Sequence, residues 1–317
     1  MLNYKQFVMK QRIFYKNILN HCYQRSADNG VLFYNVCDYL HFFTVFNMAA
    51  TRHPVRVLKL VEMPDHLHQS SYARSSRDLS LFVQDYSSVF AKEHNEVTGA
   101  SGPVFKHPFG SVPKVGDKKA RTNLLYLDNN PAERKLVVRA EDYQWNFLAY
   151  GNSSHPFSEK IVLREASMSL RRCLKRVEIQ HKSGRHMTYP MLWSMFDSLV
   201  SEKERCQLAD FIVTTYSVID HESAIRFFGS YENELLSAHA NTGSEYDLNE
   251  IFIGKSDACY EEMAALVMQT GLFRDIHEVL FLPDDKKWKL FQWLCRKTSA
   301  PARQVAAFLH LPLSLEI

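Results

Sequence analysis

Apolar and polar positions change their spacing several times along this chain, and each change marks an element. Residues 12–25 mix the two types as a half-buried strand does, and Ala27-Asp28-Asn29-Gly30 gives the turn signal that follows. Residues 31–52 are long, aromatic-rich and mostly apolar, which predicts a buried helix stopped by Pro54. Residues 55–62 (VRVLKLVE) have the β-branched content of a strand. Met63-Pro64-Asp65 interrupts it, and a second strand is expected over 66–71. Leu79, Phe82, Val83, Tyr86 and Phe90 then recur at helical spacing behind cap candidates at 75–78, an amphipathic helix. The loop 98–103 leads into an extended stretch over 104–112. Gly116-Asp117 opens a further helix, expected to end at Pro131 near Asn130. This order predicts an α+β domain: an antiparallel sheet with helices on one face.

Gly151-Asn152-Ser153-Ser154-His155-Pro156 reads as a linker and divides the chain into 1–152 and 153–317. Beyond it the periodicity is helical almost throughout, over 191–201, 204–216, 260–270, 286–297 and 302–310. The loop Asn241-Thr242-Gly243-Ser244-Glu245-Tyr246 splits this all-α half, and no repeat of fixed period is visible.

Composition narrows the class. With 317 residues, 46% of them apolar, two domains can each bury a core. Eleven glycines and eleven prolines exclude collagen-like or low-complexity chains. The longest apolar run, 31–50, is broken by Asn35, Asp38, His41 and Asn47, so it does not predict a membrane span. The opening MLNYKQFVMK lacks a secretory pattern, so a soluble, cytoplasmic protein with no membrane partner is expected. The six cysteines are far apart with no C-x-x-C pair, which points to reduced, packed thiols.

A net charge of +3 conceals a segregation. Residues 106–139 carry eight basic side chains against three acidic ones, and 160–185 carry eight against two, so the remainder is acidic. Such clusters suit a polyanion, although two solvated helix faces would give the same count. The candidates for phosphate contact are Lys106, Lys114, Lys118, Lys119, Arg121, Arg171, Arg172, Lys175 and Arg176.

Two small groups could carry chemistry. In His66-Leu67-His68 the imidazoles share one face of a strand and can reach one metal ion, or they are two ordinary strand histidines. Tyr126 and Asn130 share a helix face at i and i+4. A phenol is a nucleophile when its proton is drawn off, and an amide oxygen can join two imidazoles around Mg²⁺ or Mn²⁺. The plainer alternative is one tyrosine among fifteen and a polar residue before a proline.

The motifs resemble a known family. Met63-Pro64-Asp65-His66-Leu67-His68 resembles the M-P-(N/D)-H-x-H segment of single-tyrosine HUH transposases, and Tyr126-Leu127-Asp128-Asn129-Asn130-Pro131 resembles their Y-(I/L)-x-x-N-P segment. Glu141-Asp142-Tyr143-Gln144-Trp145 is similar to the E-D-(Y/W)-x-W of the branch associated with repetitive extragenic palindromes. Ser101-Gly102-Pro103-Val104-Phe105 and His21-Cys22-Tyr23-Gln24-Arg25 also match family positions, and all five stand in family order over residues 12–150. The resemblance implies a ferredoxin-like core, cleavage and rejoining of single-stranded or hairpin DNA, and a 5′-phosphotyrosine intermediate. It implies His66, His68 and Asn130 as ligands of Mg²⁺ or Mn²⁺ and Tyr126 as nucleophile, with Tyr143 and Tyr150 as packing residues. Relatives include monomers and homodimers. Many carry an arginine–phenylalanine pair where this chain has Lys106-His107-Pro108-Phe109-Gly110, so the basic partner here is Lys106 or His107.

The half from 153 onward lies outside the common core. Residues 160–185 are candidates to grip a hairpin stem, and 286–310 is similar to two helices of a helix-turn-helix, with Arg303 and Gln304 as exposed candidates. Two other functions compete: a domesticated hairpin binder that does not cleave, and a metal nuclease that uses water. A covalent protein–DNA adduct distinguishes the transposase from both.

Overall fold

The computed structural model describes residues 13–106, 108–240 and 256–312. Four strands, β1 (Leu19–Arg25), β2 (Val55–Met63), β3 (His66–Ala73) and β4 (Gly110–Lys114), form one sheet in the order β2-β3-β1-β4, with every neighbouring pair antiparallel. Helix α1 (Val36–Arg52) joins β1 to β2, and α2 (Ser76–Thr98) joins β3 to β4. This βαββαβ path is the ferredoxin-like arrangement, and a helical half follows it.

Local chemistry sets the boundaries. Helix α1 begins five residues later than the apolar run because Asn35 caps it: its side chain accepts from the Cys37 and Asp38 amides, and Asp38 accepts from the Asn35 amide. The aromatic run then buries Phe42, Phe43 and Phe46 completely. Strand β1 starts only at Leu19, after Asn17 turns the chain at φ 62°. The extended stretch after the glycine loop yields a strand of five residues, a short edge containing Pro113. Gly110 opens it because a Cβ there would lie 2.0 Å from the Tyr23 ring. Helix α3 (Asp117–Glu133) runs through Pro131 rather than ending before it. The proline falls in the last turn, where it forgoes the bond to the carbonyl four residues back, and the helix ends two residues later.

The helices cover both faces of the sheet, not one as the pattern suggested. Gln24 meets Tyr86 and Ser87 of α2 on one face, at 2.7 and 3.0 Å. On the other face Ser70 of β3 donates to Asn123 of α3 at 2.6 Å. With α1 and α2 filling one side, the stripe Ala120, Leu124 and Leu127 closes α3 over the other.

The second half comprises α4 (Met168–Lys182), α5 (Tyr189–Asp197), α6 (Glu202–Tyr216), α7 (His221–Ile225), α8 (Tyr231–Ala240), α9 (Ala258–Gln269), α10 (Asp284–Lys297) and α11 (Ala302–Phe308). Leu170, Leu192, Leu208 and Ile212 join the same buried cluster as Phe42 and Phe43, so α4 to α6 extend the core of the sheet domain. Helices α9 to α11 form a second cluster with Val31 and Tyr34. The Val31 amide donates to the Ala307 carbonyl at 3.3 Å, and the Tyr34 hydroxyl donates to that of Phe308 at 2.7 Å. Before α7, the Asp220 amide donates to Val57 O on the outer side of β2 at 2.8 Å. Arg303 is exposed, but Gln304 is buried and donates to Ser256 O at 2.9 Å, because α11 packs that face inward. The loop 241–246 lies outside the described residues. All six cysteines are free, four of them buried. Among the described residues no helix is long and apolar enough to cross a membrane.

One buried ion pair ties the second cluster to α1: His277 Nε2 stands 3.0 Å from Asp38 Oδ1. Against burial, which lowers it, Asp38 and Asp275 raise the His277 imidazole to about 10. Its folded value lies above the unfolded one, so the stabilisation is complete below the ordinary imidazole range and is lost as pH climbs toward 10. In chemical denaturation, His277→Gln should cost about 3–5 kcal/mol near pH 6, where breaking a buried pair strands the carboxylate, and the gap to wild type should narrow in alkali.

Candidate active site

Strand β3 and helix α3 build the site between them. In the strand, His66, His68 and Ser70 alternate onto one face. In the helix, Asn123, Tyr126 and Asn130 form one stripe at i, i+3 and i+7. The Ser70–Asn123 hydrogen bond fixes the alignment at one end. Next along, the His68 and Tyr126 rings lie with centroids 5.4 Å apart, edge to face. The His66 and His68 rings are 5.0 Å apart, and the stripe continues to Asn130. His21 of β1, which the sequence left without a role, joins them at 5.1 Å from His68 and 5.8 Å from Tyr126.

The partners of the imidazoles decide which nitrogens are available. His66 Nδ1 lies 2.5 Å from the Asp65 carboxylate, which can only accept, so Nδ1 carries the proton and Nε2 keeps its lone pair. His68 Nδ1 pairs with His21 Nε2 at 2.9 Å, an arrangement that leaves His68 Nε2 to face the site. Burial first, then the neighbouring His66 and His21, push His68 well below its ordinary value, so the ring is neutral. His66 Nε2, His68 Nε2 and Asn130 Oδ1 are all buried without a hydrogen-bond partner. An orphaned buried acceptor costs about 1–3 kcal/mol. Three of them near one phenol are a donor set that a divalent cation would satisfy. His66, His68, Asn130 and Tyr126 expose only 1, 1, 2 and 3% of their surface.

Helix α3 is pinned from the side away from Tyr126. Lys59 Nζ lies 2.6 Å from Asp128 Oδ1 and 2.8 Å from Glu234 Oε1, and all three side chains are buried. Burial raises the Asp128 carboxyl to about 7; Lys59 opposes this and Glu234 adds to it. Asn129 donates to Ala238 O at 2.9 Å, and Asn146 donates to Asp128 O at 3.2 Å. The segment 141–145 is packing material: Tyr143 donates to Glu62 O at 2.9 Å, and Trp145 stacks on Tyr39 at 4.6 Å. The Tyr150 hydroxyl is held by Asp210 at 2.6 Å.

The basic candidates divide by exposure. Lys118, Lys119 and Arg121 are exposed at the start of α3, and Arg171, Arg172, Lys175 and Arg176 are exposed along α4. Lys106 is exposed and donates to Asn29 Oδ1 at 2.5 Å. Lys114 is buried at the end of β4, so it does not share their access to a polyanion. His107 lies outside the described residues. Asp65 and His21 had no assigned role in the sequence; a carboxylate next to a candidate ligand is a visible signal for the first, whereas only the strand pairing reveals the second.

Lys59→Ala would leave two buried carboxylates around an empty position. A loss of about 3–5 kcal/mol in urea denaturation is expected, with Lys59→Arg recovering part of it.

No family model and no curated protein matches the chain. A solved structure described as a REP-associated tyrosine transposase bound to a REP hairpin is similar, at 14% identity over 45% of this chain and 84% of that one, with a TM-score of 0.40.

Proposed function

We propose that this chain cleaves and rejoins single-stranded DNA at hairpin or palindromic sites, with Tyr126 as the nucleophile. The observations that carry the reading are three buried, unpartnered acceptors, His66 Nε2, His68 Nε2 and Asn130 Oδ1, on the facing stripes of β3 and α3, and the His68 ring 5.4 Å from that of Tyr126. A pure DNA binder has no physical need for that grouping. A Mg²⁺ or Mn²⁺ ion held by these three residues would polarise the scissile phosphate. Asp65 keeps His66 in the ligating tautomer, and His21 does the same for His68 when its Nε2 accepts from His68 Nδ1. The Tyr126 oxygen forms a bond to phosphorus as the bond to the 3′ oxygen breaks, and the leaving oxygen takes up a proton. Attack by a 3′-hydroxyl reverses the exchange, so resealing needs no ATP.

Tyr126 and its three neighbours are buried in this structure. The Asp257 amide, at the entry to α9, donates to Arg134 O at the end of α3 (2.9 Å), which places the second half at that edge. The exposed Arg171, Arg172, Lys175 and Arg176 are the proposed phosphate contacts of the helical half, with Lys118, Lys119, Arg121 and Lys106 on the sheet domain.

Incubation with a hairpin oligonucleotide and Mn²⁺ should give a protein–DNA adduct on a denaturing gel. Tyr126→Phe should abolish the adduct while leaving binding in a gel shift within about twofold. An adduct formed by the phenylalanine variant overturns the assignment, cleavage without an adduct favours water as nucleophile, and binding without cleavage under either metal favours a non-cleaving hairpin binder. Replacing Arg171, Arg172, Lys175 and Arg176 together by alanine should flatten the dependence of log affinity on log salt by about 0.7–0.9 for each phosphate that these side chains neutralise.

A further inference from the structure

A second cluster of ligand-type side chains lies on the opposite face of the sheet, among α1, α2 and the turn between α4 and α5. His41 Nε2 of α1 stands 3.7 Å from one carboxylate oxygen of Glu93 on α2, and His186 Nε2 stands 2.7 Å from the other. The three ligand atoms all lie within 4.8 Å of one another. We propose that His41, Glu93 and His186 bind a zinc ion that clips the helical half to the sheet domain.

The tautomer of His41 carries the argument. Its Nδ1 lies 2.9 Å from the Met187 carbonyl, which can only accept, so the ring proton is on Nδ1. Nε2 is therefore a lone pair, buried without a hydrogen-bond partner and aimed at a carboxylate oxygen. Two electron-rich atoms facing each other repel; a cation between them turns the contact into coordination. The carbonyl behind Nδ1 is the kind of outer partner that fixes metal-binding histidines.

The donor set also selects the metal. Two imidazole nitrogens and one carboxylate are zinc ligands, and Mg²⁺ prefers oxygen. Tetrahedral zinc with bonds of about 2.0–2.1 Å separates its ligand atoms by about 3.3–3.5 Å, and the distances of 2.7 and 3.7 Å bracket that value. Small side-chain shifts complete the site. His186 and Glu93 are 23 and 21% exposed, so an ion can enter from solvent, and a water can take the fourth position.

The test is zinc uptake by the full chain, stripped with EDTA, incubated with Zn²⁺ alone, desalted and counted by mass spectrometry. Wild type should hold one equivalent more than His186→Ala or Glu93→Ala, with affinity at this site falling on the order of 100-fold or more. Zinc should raise the thermal midpoint of wild type and not of the variants. Midpoints measured in EDTA control for folding, and His186 is the safer substitution because it is partly exposed. Co²⁺ should give the visible bands of a tetrahedral site in wild type and lose them in His186→Ala. Equal zinc content in wild type and both variants overturns the proposal. So does a loss of zinc seen only in His66→Ala/His68→Ala, which assigns the ion to the candidate active site instead.

Discussion

The Lys59 ammonium between Asp128 and Glu234 is the constraint on which the site depends. Each of these ions costs several kcal/mol to bury alone, so the three hold one another in place or the fold is heavily destabilised. One comes from β2, one from α3 and one from α8. Rotating α3 about its axis would strand a carboxylate in the interior. The angle at which Tyr126 and Asn130 meet His66 and His68 is therefore fixed by a charge balance two residues along the same helix.

Since α8 belongs to the helical half, the tyrosine helix is held from both halves of the chain. The same pattern recurs elsewhere: His277 reaches Asp38 at the start of α1, and the carbonyls at the end of α11 receive the Val31 amide and the Tyr34 hydroxyl. The helical half is thus structural support for the sheet domain as well as a carrier of exposed basic side chains.

Much of the fold was legible because periodicity and turn chemistry agree here. The β-branched run over 55–62, the strand restarting over 66–71 and the stripe from Leu79 to Phe90 each became the expected element. Boundaries were less legible where tertiary contacts set them. Val31 and Tyr34 look like helix residues in sequence, yet they serve the second cluster, and Asn35 starts the helix after them. Pro131 reads as a stop but fits the final turn. The candidate site was visible through spacing, since i, i+2 on a strand and i, i+4 on a helix define faces. Its supports were not: His21 lies 47 residues from His68, and Lys59 lies 69 from Asp128, so only the folded chain relates them. The trio of His41, Glu93 and His186 was hidden for the same reason.

The margins of the sheet have a consequence for self-association. β4 is five residues long and Pro113 withholds an N–H from its rim, while along β2 the backbone is engaged by the Asp220 amide at Val57 and the Tyr143 hydroxyl at Glu62. Unpaired margins are where strands from other molecules add and where fibrils begin. Among the described residues both margins are blunted, which disfavours assembly by addition of strands.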